Sequence, residues 1–194
     1  MNAGGPELIE QKLKTALTFK DEGNELYKAK DYKKAMRKYH NAIMYLNGID
    51  NDLHGTPSFM QFASVDPDSE KKIPQSLEQE CIKANISIYN NLAACMLASE
   101  AHTTEADFEK VVKYTDIVLE LDEENEKALY RKAQALRQVR DFSKANDTYE
   151  KLKNVRTKKG QAITQDVING VKECQEALND YGKKEKDMYQ KMFK

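Results

Sequence analysis

Three features of this chain predict an all-α fold, a solenoid of three helical hairpins closed by a C-terminal capping helix. Apolar residues recur at spacings of three and four, the signature of one buried helix face. Small residues occupy fixed places within those stripes, where two helices must approach closely. The second-helix spacing of Tyr32, Ala35, Tyr39, Ala42 then returns position for position as Phe142, Ala145, Tyr149, Leu152. Unrelated helices of a bundle have no reason to share one aligned template.

The elements follow in chain order. Residues 1–16 form an N-terminal extension that runs into the first helix, residues 17–160 hold the three repeats, and residues 161–194 form the capping helix and tail. In the first repeat, Phe19, Gly23, Leu26, Ala35, Tyr39 and Ala42 alternate bulky and small residues. Gly23 sits inside a helix at a cost of ~1 kcal/mol relative to Ala, which a close helix crossing explains. Asp31 is placed to cap the second helix, whose inner stripe is Tyr32, Ala35, Tyr39 and Ile43.

A loop is predicted at about residues 47–76, from the turn formers Gly48, Gly55, Pro57, Pro67, Asp68 and Pro74. A loop of this length reads as partly disordered, with docking of its apolar Phe59, Met60 and Phe62 on the repeats as the alternative. The second repeat is looser, with a first helix around Ile88–Ala98 carrying Leu92, Ala93 and Met96. A lengthened turn, Ser99–Ala106, leads to a second helix carrying Phe108, Val111, Thr115 and Val118. The third repeat is regular: Lys127–Arg140, with Ala133 in the place of Gly23, then Asp141–Val155 with Asp141 as the cap. From Gln161 the residues Ile163, Val167, Val171, Cys174, Leu178 and Tyr181 trace one stripe, opposed by polar Lys172, Glu173, Glu176 and Asp180. A stack of hairpins needs such a helix to cover its open end.

Five polar residues, Lys20, Asn24, Asn91, Lys127 and Arg131, are predicted at matching positions on the first helices of the three hairpins. Within each charged pair the members are four apart and share a helix face. Cations and amides without an acid among the five read as a receptor for a carboxylate.

The helix-turn-helix template resembles the tetratricopeptide repeat, with its period of about 34 residues, over roughly Leu17–Leu152. The segments FKDEGN, YNNLAA and KALYRKA are similar to the carboxylate clamp by which members of that family hold the C-terminal Asp of heat-shock proteins 90 and 70 (Hsp90, Hsp70). The resemblance implies that Asn24 and Asn91 donate amide hydrogens to the terminal carboxylate and that Lys20 and Lys127 add charge. Arg131 would contact the ligand's acidic side chain or backbone.

An insertion between the first two repeats, a long last helix and the closing KEKDMYQKMF resemble the large immunophilins and the tetratricopeptide repeat protein 9 family. The stretch DFEKVVKYTDIVLE and the mere 16 residues ahead of the repeats, which leave no room for an isomerase domain, favour the second. The implied function is a co-chaperone-like adaptor that binds the acidic EEVD-type tail of Hsp90, Hsp70 or both. The alternative is a scaffold that takes a cytoskeletal or signalling client on the 47–76 loop or the convex surface. The charged tail with Met188, Tyr189, Met192 and Phe193 could also engage calmodulin or another protein.

Composition fits a cytoplasmic, monomeric interaction module. A formal net charge of −1 lacks the basic excess that nucleic-acid binding demands. No apolar run approaches the 18 residues of a membrane span, and MNAGGPELIE is not a secretory leader. The odd count and wide spacing of Cys81, Cys95 and Cys174 suit a reducing compartment. The sequons at Asn85 and Asn146 are then incidental. His40, His54 and His102 are isolated, and no metal-ligand pair, phosphate loop or nucleophile elbow occurs. No catalysis and no cofactor are expected.

Overall fold

The computed structural model describes residues 6–54 and 74–192, and among those residues the chain forms seven α-helices and no strand. They are α1 (Pro6–Lys28), α2 (Tyr32–His54), α3 (Gln75–Ala98), α4 (Glu105–Leu121), α5 (Glu126–Gln138), α6 (Phe142–Lys158) and α7 (Gln165–Met192). Contacts group them into two compact units, Met1–Ser99 with Glu120–Asp122, and Glu100–Leu119 with Glu123–Lys194. In a repeat chain each hairpin packs chiefly on its neighbours, and the contacts here separate accordingly.

In the first unit α1 and α2 fold back on each other through a three-residue turn. Lys30 adopts a left-handed conformation at φ 60°, and the Asp31 amide donates to the Leu26 carbonyl at 2.9 Å. This closes the carbonyl end of α1 in the manner of a Schellman cap. Asp31 then caps α2 as its sequence position foretold, its carboxylate accepting the Lys34 amide at 3.1 Å. The Lys34 ammonium and amide hold that carboxyl below its ordinary range.

Gly23 and Tyr39 stand eight residues either side of Asp31, so the turn brings them face to face. A Cβ on Gly23 would lie 2.6 Å from the Tyr39 ring, and only glycine leaves the ring that room. Ile9, Leu13 and Ala16 of α1 join Ala35, Ala42, Leu46 and Ile49 of α2 in the core. Leu77, Cys81, Ala84, Ile88 and Leu92 are buried on α3.

Two boundaries differ from those read in the sequence. Helix α2 does not stop at Asn47 but continues to His54. Ile49 is fully buried and the Lys12 ammonium donates to the Gly48 carbonyl at 3.0 Å, and these contacts outweigh the turn preference of Gly48. Helix α3 begins at Gln75, well ahead of Ile88, because Leu77, Cys81 and Ala84 already carry its buried stripe. The rest of the predicted loop, with Phe59, Met60 and Phe62, lies outside the described residues.

In the second unit the hairpin α5–α6 repeats the same turn. Arg140 takes φ 62°, the Asp141 amide reaches the Leu136 carbonyl at 2.9 Å, and Asp141 caps α6 through the Lys144 amide at 3.2 Å. Val112 and Leu119 of α4 pack on the core formed by α5, α6 and α7, and Lys132 pairs with Asp116 at 2.6 Å.

Helix α7 covers this hairpin with Val167, Val171 and Cys174, set against Leu129, Tyr149, Leu152 and Val155. Gly170 has a function that the sequence stripe does not reveal. A Cβ on Gly170 would sit 2.5 Å from the Tyr149 ring, so the close approach that Gly23 supplies to Tyr39 recurs here across an inter-hairpin contact. An ion pair between Arg137 and Glu173 ties α5 to α7.

The buried stripe of α7 is shorter than predicted. Leu178 is 38% exposed and Tyr181 53% exposed, although the Tyr181 ring still lies 6.4 Å from that of Phe142. The cause is length: α7 has 28 residues and its partner α6 only 17, so at 1.5 Å per residue the covering helix outruns the surface it covers. Met188, Tyr189 and Met192 are exposed, and Phe193 lies outside the described residues.

Two outcomes follow from this packing. Gly170→Ala should lower stability by about 1 to 3 kcal/mol through overpacking against a ring that has nowhere to go, despite the ~1 kcal/mol gain in helix propensity; urea melts compare it with the unaltered chain. Truncation after Lys159 should uncover the α6 face at ~1.5 to 3 kcal/mol per large side chain and drop the circular-dichroism midpoint sharply. Truncation after Gly182 removes the exposed Met188, Tyr189 and Met192 and should leave that midpoint almost unmoved. Equal melts for the two truncations would mean that α7 caps nothing.

Candidate carboxylate-binding site

Lys20, Asn24 and Asn91 belong to the first unit, Lys127 and Arg131 to the second. The turn at residues 29–31 sets Asn24 nearly level with Tyr39, seven residues before Asp31 against eight after it. The result is a hydrogen-bonded cluster. The Asn24 carbonyl oxygen accepts the Tyr39 hydroxyl at 2.9 Å and the Asn91 amide, also at 2.9 Å. Asn24 on α1 and Asn91 on α3, 67 residues apart in sequence, are thereby brought into direct contact.

The network orients the Asn24 amide. An Asn side chain has one acceptor oxygen and two N–H donors. With its oxygen held from two sides, its nitrogen points elsewhere and donates at 3.4 Å to a carboxylate oxygen of Asp21. Lys20 meets the same oxygen at 3.3 Å. Its side chain is only 21% exposed, against 70% for Asp21, so a half-buried cation and an oriented amide converge on one carboxylate at the surface of α1.

Tyr39 is buried and its hydroxyl titrates above the usual phenol range. Burial is the main cause and Cys95 adds to it, while a hydrogen bond with Asn91 pulls the other way. It therefore stays a neutral donor at any physiological pH. Cys95 itself is core.

The sequence named neither Tyr39 nor Asp21 as part of this cluster. Tyr39 was legible only as one residue of the inner stripe of α2, yet counting outward from the turn sets it against Asn24. Asp21 adjoins Lys20 in sequence, and adjacent residues on a helix do not ordinarily face each other.

On α5, Lys127 is exposed and Arg131 half-buried, four residues apart on one helix face. Registered on the close-approach residues Gly23 and Ala133, Lys20 and Asn24 stand three before and one after, whereas Lys127 and Arg131 stand six and two before. The two pairs are therefore not at matching repeat positions, contrary to the sequence reading.

Among the described residues no cluster of His, Cys, Asp or Glu could hold a metal ion, and no helix is long and apolar enough to cross a membrane. Cys81, Cys95 and Cys174 are buried and none of them forms a disulfide. The Cys81 thiol is pushed up to about 11, by burial first and by Glu80 and Glu78 after it, which is opposite to what a reactive thiolate requires.

With this geometry in hand, known proteins can be compared. The C-terminal TPR-containing domain of a Plasmodium falciparum FK506-binding protein superposes with a TM-score of 0.68 at 23% identity, covering 90% of this chain and 95% of that one. The fold is that of the tetratricopeptide repeat. The first such domain of Spaghetti (RPAP3), solved with the HSP90 peptide SRMEEVD, matches with a TM-score of 0.56 at 15% identity, over 86% of this chain and 95% of its own.

In sequence the tetratricopeptide-repeat chain is 29% identical to tetratricopeptide repeat protein 9C of Xenopus tropicalis over 185 residues, 95% of this chain and 96% of that protein. It is 26% identical over 184 residues to the bovine (Bos taurus) peptidyl-prolyl cis-trans isomerase FKBP4, of which it spans 33%. The two resemblances read from the sequence, to the protein 9 family and to the repeat domain of large immunophilins, both reappear among these relatives. No protein-family model matches the chain.

Proposed function

We propose that this chain is a non-catalytic protein-interaction module, a co-chaperone-like adaptor that captures the free C-terminal carboxylate of an acidic Hsp90- or Hsp70-type tail. Asn24 and Asn91 donate amide hydrogens to that carboxylate and Lys20 neutralises it. Lys127 adds charge, and Arg131 takes an acidic side chain or the peptide backbone of the ligand.

One observation carries the reading. Lys20 and Asn24 already converge on a carboxylate, that of Asp21, and the network behind Asn24 leaves its amide hydrogens as the groups on offer. A ligand carboxylate presents the same oxygens with the same charge. The neighbour bound to the HSP90 peptide SRMEEVD lends support, since that peptide ends in Glu-Glu-Val-Asp. The isomerase activity in the name of the bovine relative is no part of the proposal, because this chain spans a third of that protein.

Charge-assisted hydrogen bonds contribute ~1.5 to 3 kcal/mol each before the costs of association, and several of them suffice for a micromolar complex at roughly −8 kcal/mol. Lys127→Ala and Arg131→Ala should each weaken SRMEEVD binding about tenfold or more in titration calorimetry, with melting curves unchanged. Amidating the peptide's C-terminus should weaken it to a similar degree. Unchanged affinity in both variants would remove Lys127 and Arg131 from the site. Indifference to amidation would dismiss the carboxylate reading altogether and turn attention to the scaffold alternative.

A further inference from the structure

We propose that Tyr39 is a positioning residue for carboxylate recognition: its buried hydroxyl fixes which end of the Asn24 amide is presented to the ligand. The inference rests on the carboxylate reading above and adds to it a residue whose side chain would touch no ligand.

The argument begins with the symmetry of an amide. Oxygen and nitrogen of an Asn side chain are nearly the same size, so packing alone does not choose between the two orientations related by a half-turn of the amide. One orientation offers N–H groups to a carboxylate and the other offers an oxygen, which repels it. Something must break the tie before the ligand arrives, or part of the binding energy is spent on breaking it then.

Two donors break it here. The Tyr39 hydroxyl and the Asn91 amide both point at the Asn24 oxygen from 2.9 Å. Turning the amide over would set N–H against N–H at Asn91, and the Tyr39 hydroxyl would have to give up its role as donor. Asn91 cannot do this alone with the same certainty, since its own amide can also turn. A phenol has no such ambiguity of reach: its ring is 1% exposed and wedged over Gly23, with that residue's added Cβ only 2.6 to 3.0 Å from ring atoms. The hydroxyl is held where the ring puts it.

A buried phenol also needs a partner for its own sake, so satisfaction of Tyr39 and orientation of Asn24 are one interaction viewed from its two ends. Position 149 supplies a contrast within the same chain. Tyr149 occupies the same template position and is equally buried, yet its hydroxyl accepts from Arg137 at 3.5 Å and no site Asn stands opposite it. The ring is the packing element common to both hairpins, and the bond to a site amide is specific to the first.

The test measures SRMEEVD and its C-terminal amide by calorimetry on the full chain, unaltered and as Tyr39→Phe. Phenylalanine keeps the ring over Gly23 and removes the hydroxyl. The unaltered chain should prefer the free acid, and in Tyr39→Phe that preference should shrink about three- to tenfold, the worth of one oriented hydrogen bond, while the melting point holds. In an Asn24→Ala background the same substitution should no longer change the preference, which separates action through Asn24 from a general loosening of the fold.

Full preference for the free acid in Tyr39→Phe overturns the proposal and leaves the carboxylate reading standing. No preference in the unaltered chain overturns the reading itself. Should Tyr39→Phe not fold, nitrogen-15 relaxation of the Asn24 side-chain amide in the unaltered, peptide-free chain decides. An amide about as ordered as rigid backbone, with an order parameter of about 0.85, supports positioning. A freely turning amide overturns it.

Discussion

A tyrosine ring laid on a residue with no side chain is the contact on which the rest of this molecule depends. Tyr39 occupies the space over Gly23, and Tyr149 the space over Gly170. Both rings are 1% exposed and bring a large apolar surface to places where two helix backbones come close. Each glycine is unfavourable within its helix by ~1 kcal/mol, and burying an aromatic ring offsets that several times over. The partner differs: Tyr39 meets a glycine of its own hairpin, Tyr149 one of the following helix. The same device thus closes one hairpin and joins the capping helix to another.

The candidate site is a by-product of that contact. Once the ring lies over Gly23, its hydroxyl emerges beside the next residue, Asn24, and holds the amide oxygen together with the Asn91 amide of α3. Asn91 arrives on α3 because Leu92 and Ala93, its neighbours, are fully buried. The polar groups that would recognise a ligand are thus fixed by apolar residues one position away in sequence, which is how a helix couples a core face to a functional face. A precise site on helices needs such support from behind.

Much of the fold was legible because it rests on local rules. The caps Asp31 and Asp141, the inner stripes of α2 and α6, and the small residues between them all follow from periodicity and from hydrogen bonds that span a few residues. Less legible was anything that depends on how far a contact extends. The stripe of α7 continues in sequence through Leu178 and Tyr181, but burial needs a partner, and α6 ends first. The turn formers after Asn47 likewise suggest a loop, while the burial of Ile49 keeps α2 helical through Gly48. Of the site, residue types could be read, and orientation could not. Whether an Asn presents its oxygen or its nitrogen is decided by Tyr39, fifteen residues away, and only the folded hairpin brings the two together.

The proposed recognition of an acidic tail by a chain of net charge −1 is physically consistent for the same reason. Net charge governs long-range attraction, which salt screens beyond about 8 Å in physiological solution. Selection of a carboxylate at contact depends instead on donors already aimed at its oxygens. Lys20 is partly neutralised by Asp21 at 3.3 Å, so its charge contributes little at a distance, and a ligand carboxylate must compete with Asp21 for the same two groups. Such a site discriminates by geometry: an anion that offers oxygens in the right place exchanges one carboxylate for another at small cost, and an anion that cannot do so gains nothing from the cations alone. Orientation of the Asn24 amide, maintained by a buried phenol, is then worth more to selectivity than an additional lysine would be.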